Sequence, residues 1–162
     1  MSIFASQTQD TIPLPLDPGQ TITIRKLTGR EIEQAQVAHA SGLAIGAAWS
    51  WAERFRRTLE HGADDARVQA LLADPLNGFD RQTLIRCGLI AWSYPQSIKP
   101  VPAQPEVPAK DGKPAIAASP AQDAIGDLDD EAMDFIARSI LKLTKPWLFE
   151  TVAEQEHAQK NG

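Results

Sequence analysis

The sequence predicts a mainly helical fold, a helical domain that opens with a short N-terminal β-hairpin and carries a proline-rich loop before its C-terminal helices. Three observations predict it. Apolar residues recur at helical spacing after Thr28, Asp80 and Asp129. Each of these three residues has a short polar side chain of the kind that caps a helix N-terminus. Two extended runs near the N-terminus flank Asp17-Pro18-Gly19, where proline presets a turn and glycine accepts positive φ, so a hairpin is expected there.

The hairpin occupies TIPLPLDPGQTITIRKL. Pro13 and Pro15 cannot donate to a ladder, which puts the first strand at an edge. The second strand runs directly into a helix with a doubly specified start: Thr28 and Glu31 have the spacing of a capping box, and Leu27 and Ile32 that of a hydrophobic staple. Ile32, Ala35, His39 and Leu43 continue one apolar face. His39 reads as a packed histidine, because no second ligand is spaced to join it.

A second helical run is expected over residues 43–60. It contains Trp49, Trp51 and Phe55 beside Arg54, Arg56 and Arg57. Arginines beside aromatics can stack nucleobases, but cations also suit the last turns of a helix, and that plainer reading outweighs the other. A short helix around residues 65–73 is signalled by Val68, Leu71 and Leu72, and Asp74-Pro75 closes it. Asp80 then caps a helix carrying Leu84, Ile85, Gly88, Leu89 and Trp92, expected to end before Pro95.

Composition changes at residue 95. Seven of the chain's 12 prolines fall between residues 95 and 126, among Ala, Lys and Gln. Such a stretch buries too little apolar surface to order itself, so it is expected to be an extended loop or linker. A PxxP-like stretch at Pro102 to Pro105 also fits an aromatic groove, with a spacer as the default reading. Order is expected to return at Asp129, with Asp130 and Glu131 complementing the helix N-terminus and Leu128 to Met133 repeating the staple. Met133, Ile136, Ile140 and Leu143 form its stripe. Thr144-Lys145-Pro146 should stop this helix and start another, with Thr144 as cap, carrying Trp147, Leu148, Phe149 and Val152.

At 162 residues and 43% hydrophobic content, the chain suits one domain. It divides into residues 1–94 (hairpin and helical body), 95–126 (Pro/Ala-rich linker) and 127–162 (C-terminal helices packing on the body). Helix 80–94 and helix 129–143 are expected to pack together. The formal net charge of -5 argues against a duplex DNA binder. Residues 127–162 hold 4 basic and 8 acidic groups, which reads first as a solvated helix face.

Candidate chemistry is sparse. Cys87 is the single cysteine, and its setting LIRCGLIAW reads as a structural thiol. His39, His61 and His157 are scattered, without a partnered nucleophile or metal spacing, so no enzyme, no cofactor and no metal are expected. Asp129-Asp130-Glu131 lacks the interrupted spacing and glycine of a calcium loop. Neither a signal peptide nor a bilayer-length apolar run is recognised, so a soluble cytoplasmic protein is expected. The surface that stands out is aromatic: if Trp147, Leu148 and Phe149 are not covered by the core, they form the best partner-binding site.

The TITIRKLTGREIEQA hairpin region, the helical middle, the Pro/Ala stretch and the late LDDEAMDFIARSILKLTKP helix together resemble the tail assembly chaperones of long-tailed (siphovirus-like) bacteriophages or prophages. The resemblance concerns the order of parts, and neither named piece is a catalytic signature. It implies a non-enzymatic role in the host bacterial cytoplasm: binding the tape measure protein and keeping it soluble while the tail tube protein assembles around it, then absence from the mature virion. For such a role, the linker is expected to let the last helices reorient. It also implies a longer form of the chain made by ribosomal frameshifting; with codons CAA-AAA-AAC, Gln159-Lys160-Asn161 would encode a slippery run. The competing class is a structural virion component such as a neck or head-to-tail connector subunit.

Overall fold

The computed structural model describes residues 8–42, 70, 73–150 and 160. Several expectations therefore lie outside the described residues: Leu43 in the first helical stripe, the run over 43–60 with its tryptophans and arginines, most of the short helix around 65–73, Val152, and the readings of His61 and His157.

The hairpin forms as expected. Strand β1 (Gln9–Pro13) pairs antiparallel with β2 (Thr21–Arg25), with Thr11 opposite Thr23 and Pro13 opposite Thr21. β1 is an edge strand, where its proline costs no ladder bond. The connection closes with the Gln20 N–H donating to the Asp17 carbonyl, and Gly19 at φ 95° supplies the left-handed residue that this turn needs after Pro18. Ile22 and Ile24 alternate into the core along β2.

The capping box at the next joint also forms. The Thr28 N–H donates to Glu31 Oε2 at 2.8 Å, and the Glu31 N–H donates to Thr28 Oγ1 at 3.3 Å. Leu27 and Ile32 are both buried, as the staple requires. Helix α1 begins at residue 29 and continues to residue 42 of the described stretch, burying Ile32 and Ala35, with His39 half-buried.

Helix α2 (Arg81–Gly88) starts at Asp80, whose carboxylate accepts from the Thr83 N–H and hydroxyl. It does not reach Pro95. The chain turns extended at Leu89, and Leu89–Trp92 forms β3, antiparallel to β2 on the side away from β1. The result is a three-stranded sheet in the order β1-β2-β3. The fold is therefore α+β, not mainly α: 38% of the described residues are helical and 19% are in strands or bridges.

A bulge explains why this strand looks helical in sequence. Leu89 pairs with Ile24 and Ala91 with Thr23, so two steps on β3 match one on β2 and Ile90 is the extra residue. The slip turns both Leu89 and Trp92 toward the core, three residues apart, while Ile90 is 40% exposed. An apolar spacing of three is also one side of a helix. The open edge of β2 decides between them, because its backbone groups need partners.

Helix α3 (Asp130–Thr144) packs on β2 and against α2. Asp129 accepts from the Ala132 N–H at 2.7 Å, as its capping position predicts. Ile136, Ala137, Ile140 and Leu141 are buried against the core that contains Leu84 and Ile85. Each large member of that set stabilises the fold by about 1.5–3 kcal/mol through removal of its apolar surface from water. Contact between α2 and α3 is close at Gly88, where an added Cβ would lie 2.5 Å from Ile140 Cγ2. The expected pairing of these two helices is thus present, and α3 is a core element rather than one free to reorient on a linker.

Between Ile98, packed on the core edge, and Ile125, which is buried within it, the chain leaves the body. Residues 99–118 are all exposed and extended, and they are ordered by pairing that composition does not suggest. They form a two-stranded arm whose pairing recurs every third residue: Val101 with Gln122, Gln104 with Ser119, Val107 with Ile116 and Lys110 with Lys113. The first three pairs exchange both backbone bonds at N···O 2.8–3.0 Å.

The triplets VPA, QPE and VPA, returning as KPA, IAA and SPA, account for this spacing. Pro102, Pro105, Pro108, Pro114 and Pro120 each follow a paired residue. Proline has no N–H to donate and drives the residue before it into extended geometry. A period of two would bring prolines onto the shared edge as missing donors; a period of three keeps them off it. Three residues per turn is the repeat of the polyproline II helix. Asp111 and Gly112, at φ 52° and 74°, close the tip as a two-residue turn with both central residues left-handed.

Candidate functional site

The expected partner-binding residues lie just beyond α3. Pro146–Phe149 makes a single 3-10 turn with Pro146 in its first position. Thr144 is not its cap; Lys145 holds that place and makes no side-chain cap bond. Trp147 is 53% exposed and Leu148 38%, whereas Phe149 is half-buried and packs on the core. Lys145 Nζ lies 5.9 Å from the Trp147 ring centroid, within reach of a cation–π contact. Thus Trp147 and Leu148 face outward while Phe149 holds the turn to the body.

Thr144 has a different task. Its hydroxyl is buried, donates to the Ile140 carbonyl at 2.9 Å and accepts from the Leu27 N–H at 3.0 Å. The last residue of α3 is thereby tied to the joint that opens α1, 117 positions away. Losing that acceptor would leave the Leu27 N–H buried without its bond, a cost of about 1–3 kcal/mol. Position within one helix gives no sign of a partner so distant. The same joint is braced by Arg25, which makes two bonds to the Glu31 carboxylate, at 2.5 and 3.1 Å. Burial raises the Glu31 pKa, but the bonds from Arg25 and Thr28 outweigh it and hold the carboxyl below its ordinary value.

Two acidic residues on α3, Asp130 and Asp134, are paired within the fold. Arg138 bonds both oxygens of Asp74, at 2.8 and 2.7 Å, and also Asp134, while Arg81 reaches Asp130 at 2.7 Å. The bonds from Arg138 hold the Asp74 carboxyl below the usual range. Asp129 caps and Asp130 pairs, which accounts for two members of the acidic cluster. Among the described residues, no group of three His, Cys, Asp or Glu is arranged to hold a metal ion. No described helix is long and apolar enough to cross a membrane.

Cys87 is half-buried on α2. Burial pushes its thiol pKa up, with the Glu31 charge adding to the shift, so the nucleophilic thiolate is disfavoured. This matches the reading of a structural thiol.

A second surface is not foreseen from the sequence. Where β3 leaves the sheet, Trp92 and Tyr94 meet edge to face, with ring centroids 5.6 Å apart at 86°. The Tyr94 hydroxyl donates to Asp17 Oδ2 at 2.7 Å, bringing a carboxylate from the β1–β2 turn beside the aromatic pair. This bond, with lesser effects of desolvation and nearby carboxylates, raises the Tyr94 pKa. Trp92 Nε1–H donates to the Gln96 carbonyl, and Leu16 beside Asp17 is 49% exposed. The available signal was the spacing of two between Trp92 and Tyr94, which is that of neighbours on one face of a strand.

No protein-family model matches the chain, nor does any curated protein or solved structure.

Proposed function

We propose that this chain is a tail assembly chaperone of the long-tailed phage type, which binds the tape measure protein and keeps it soluble during tail tube assembly. The observation that supports this reading most directly is the outward-facing pair Trp147 and Leu148, carried on a turn fixed to a buried helix. A chaperone for a long amphipathic helix needs apolar side chains offered to it by a soluble body, with many weak contacts repeated along the client. Tail tube subunits displace such contacts one at a time. The working location is the host cytoplasm, and a longer frameshifted form acts beside the shorter one.

Co-expression with the tape measure protein of the same phage tests this reading. The client should move from the pellet to the soluble fraction, and Trp147→Ser with Leu148→Ser should weaken co-purification at least tenfold. Leu16→Ser, also exposed, should leave it unchanged. A client that stays insoluble, or this chain found stoichiometrically in finished particles, overturns the proposal; the second result favours a structural virion component.

A further inference from the structure

The arm carries a proline register ending in a cation. Pro105, Pro108 and Lys110 follow one another as PEVPAK on a strand whose backbone is already fixed by cross-strand bonds. Segments of this form dock on aromatic surfaces, because an extended proline strand loses little freedom on binding. An acceptor of matching chemistry is present on the same chain: the Trp92–Tyr94 pair, half-buried with one side packed on the core, and the exposed Asp17 carboxylate at its edge. Asp17 accepts one bond from Tyr94, and a carboxylate has about four acceptor positions, so room remains for an ammonium group.

The two halves cannot meet within one molecule while the arm is straight. Tyr94 precedes the base of the arm by seven residues, at Val101, and Lys110 stands at the tip. Nine residues at the polyproline rise put Lys110 about 28 Å beyond Val101. We propose that the arm of one copy docks on the Trp92–Tyr94–Asp17 corner of a second copy, with Pro108 on the rings and Lys110 paired to Asp17. Each copy then offers one arm and one corner. Such a contact is head-to-tail, so copies add into open chains unless the rotation between them closes a ring. This self-association goes beyond the proposed function and is measured on the purified protein alone, so its outcome is separate from that of client binding.

Sedimentation velocity over a concentration series is the test, at low salt, with Lys110→Glu, Asp17→Lys and the double exchange. The wild-type protein should form a ladder of species that grows with concentration and collapses at high salt. Each single exchange should abolish the ladder, and the double exchange should restore it. An equimolar mixture of the two single variants should also restore the ladder, as alternating copies, because the arm of each then meets a corner of opposite charge on the other. Lys110 lies opposite Lys113. Lys110→Glu therefore replaces a like-charge pair with an opposite one and strengthens the arm itself, so loss of the ladder cannot come from loss of the arm. A wild-type protein that remains monomeric overturns the proposal. So does a ladder that survives both single exchanges, a mixture that restores no ladder, or a double exchange that restores nothing.

Discussion

In the body, Ile22, Ile24, Leu84, Ile85, Ile136, Ile140 and Leu141 are sealed from solvent, and strands and helices pair their backbones around them. In the arm, residues 99–118 are all exposed and the backbone still pairs, once in every three residues. The body is held by burial with hydrogen bonds following; the arm is held by hydrogen bonds in a chain that proline has already extended. Fixing a residue costs about 1–2 kcal/mol in backbone entropy. Core side chains offset that cost by leaving water, whereas proline reduces it beforehand by narrowing the unfolded ensemble. The arm also ends in fixed points: Arg86 of α2 bonds both oxygens of Asp123 at its return, and Ile125 enters the core just after.

The comparison breaks most visibly if the core is emptied. Ile140→Ala removes a fully buried side chain lying against Gly88 and should destabilise the body by about 2–5 kcal/mol. Denaturant unfolding monitored by tryptophan fluorescence would measure it. If the body were held chiefly by its hydrogen bonds, as the arm is, the loss would stay well under that range.

Acid sharpens the contrast at a smaller scale. Asp74 has a folded pKa below its ordinary 3.8 because Arg138 bonds its charged form. Its stabilisation is therefore fully present above the unfolded value and is lost as pH falls through the lower folded value. Stability measured from pH 5 downward should fall less steeply in Asp74→Asn than in the wild-type protein. An unchanged slope would mean that the pair with Arg138 does not form in solution.

The smallest effect on the body should come from disrupting the arm. Amide exchange by NMR should show protection at Val101, Gln104, Val107, Ile116, Ser119 and Gln122, with Ala103, Glu106, Ala115 and Ala118 between them exchanging freely. One alanine inserted between Val107 and Pro108 puts the base-side pairs out of phase with the tip turn. Protection at Val101 and Gln104 should then disappear, while the unfolding free energy of the body shifts by less than about 0.5 kcal/mol. A larger shift would show that the arm supports the body.

The parts that could be read beforehand are those decided by residues a few positions apart. Thr28 with Glu31, Asp80 with Thr83, and Asp129 with the Ala132 N–H close within one helical turn. The Asp17-Pro18-Gly19 turn and the edge position of Pro13 are equally local. Trp147 and Leu148 could be named as candidates from their apolar character, but their exposure, and the burial of part of Phe149, depend on where α3 ends against the core. Cys87 could be read as structural because no activating residue lies near it in sequence, and its burial agrees.

Other features depend on partners far along the chain. LIAW fits a helix by its spacing and becomes a strand because β2 has an open edge, with a bulge setting Leu89 and Trp92 on one side. The triplets of the arm are written in the sequence, but composition alone makes them a spacer; their register arises only when the Asp111-Gly112 turn brings the second set opposite the first. Thr144 reads as a cap and serves instead as the acceptor for the Leu27 N–H. Local chemistry thus settled where helices begin and which residues turn, since caps and turns close over three or four residues. The third strand, the paired arm, the Thr144 tie and the Trp92–Tyr94–Asp17 corner were decided by the folded chain, because each needs a backbone or side-chain group from a distant segment to satisfy it.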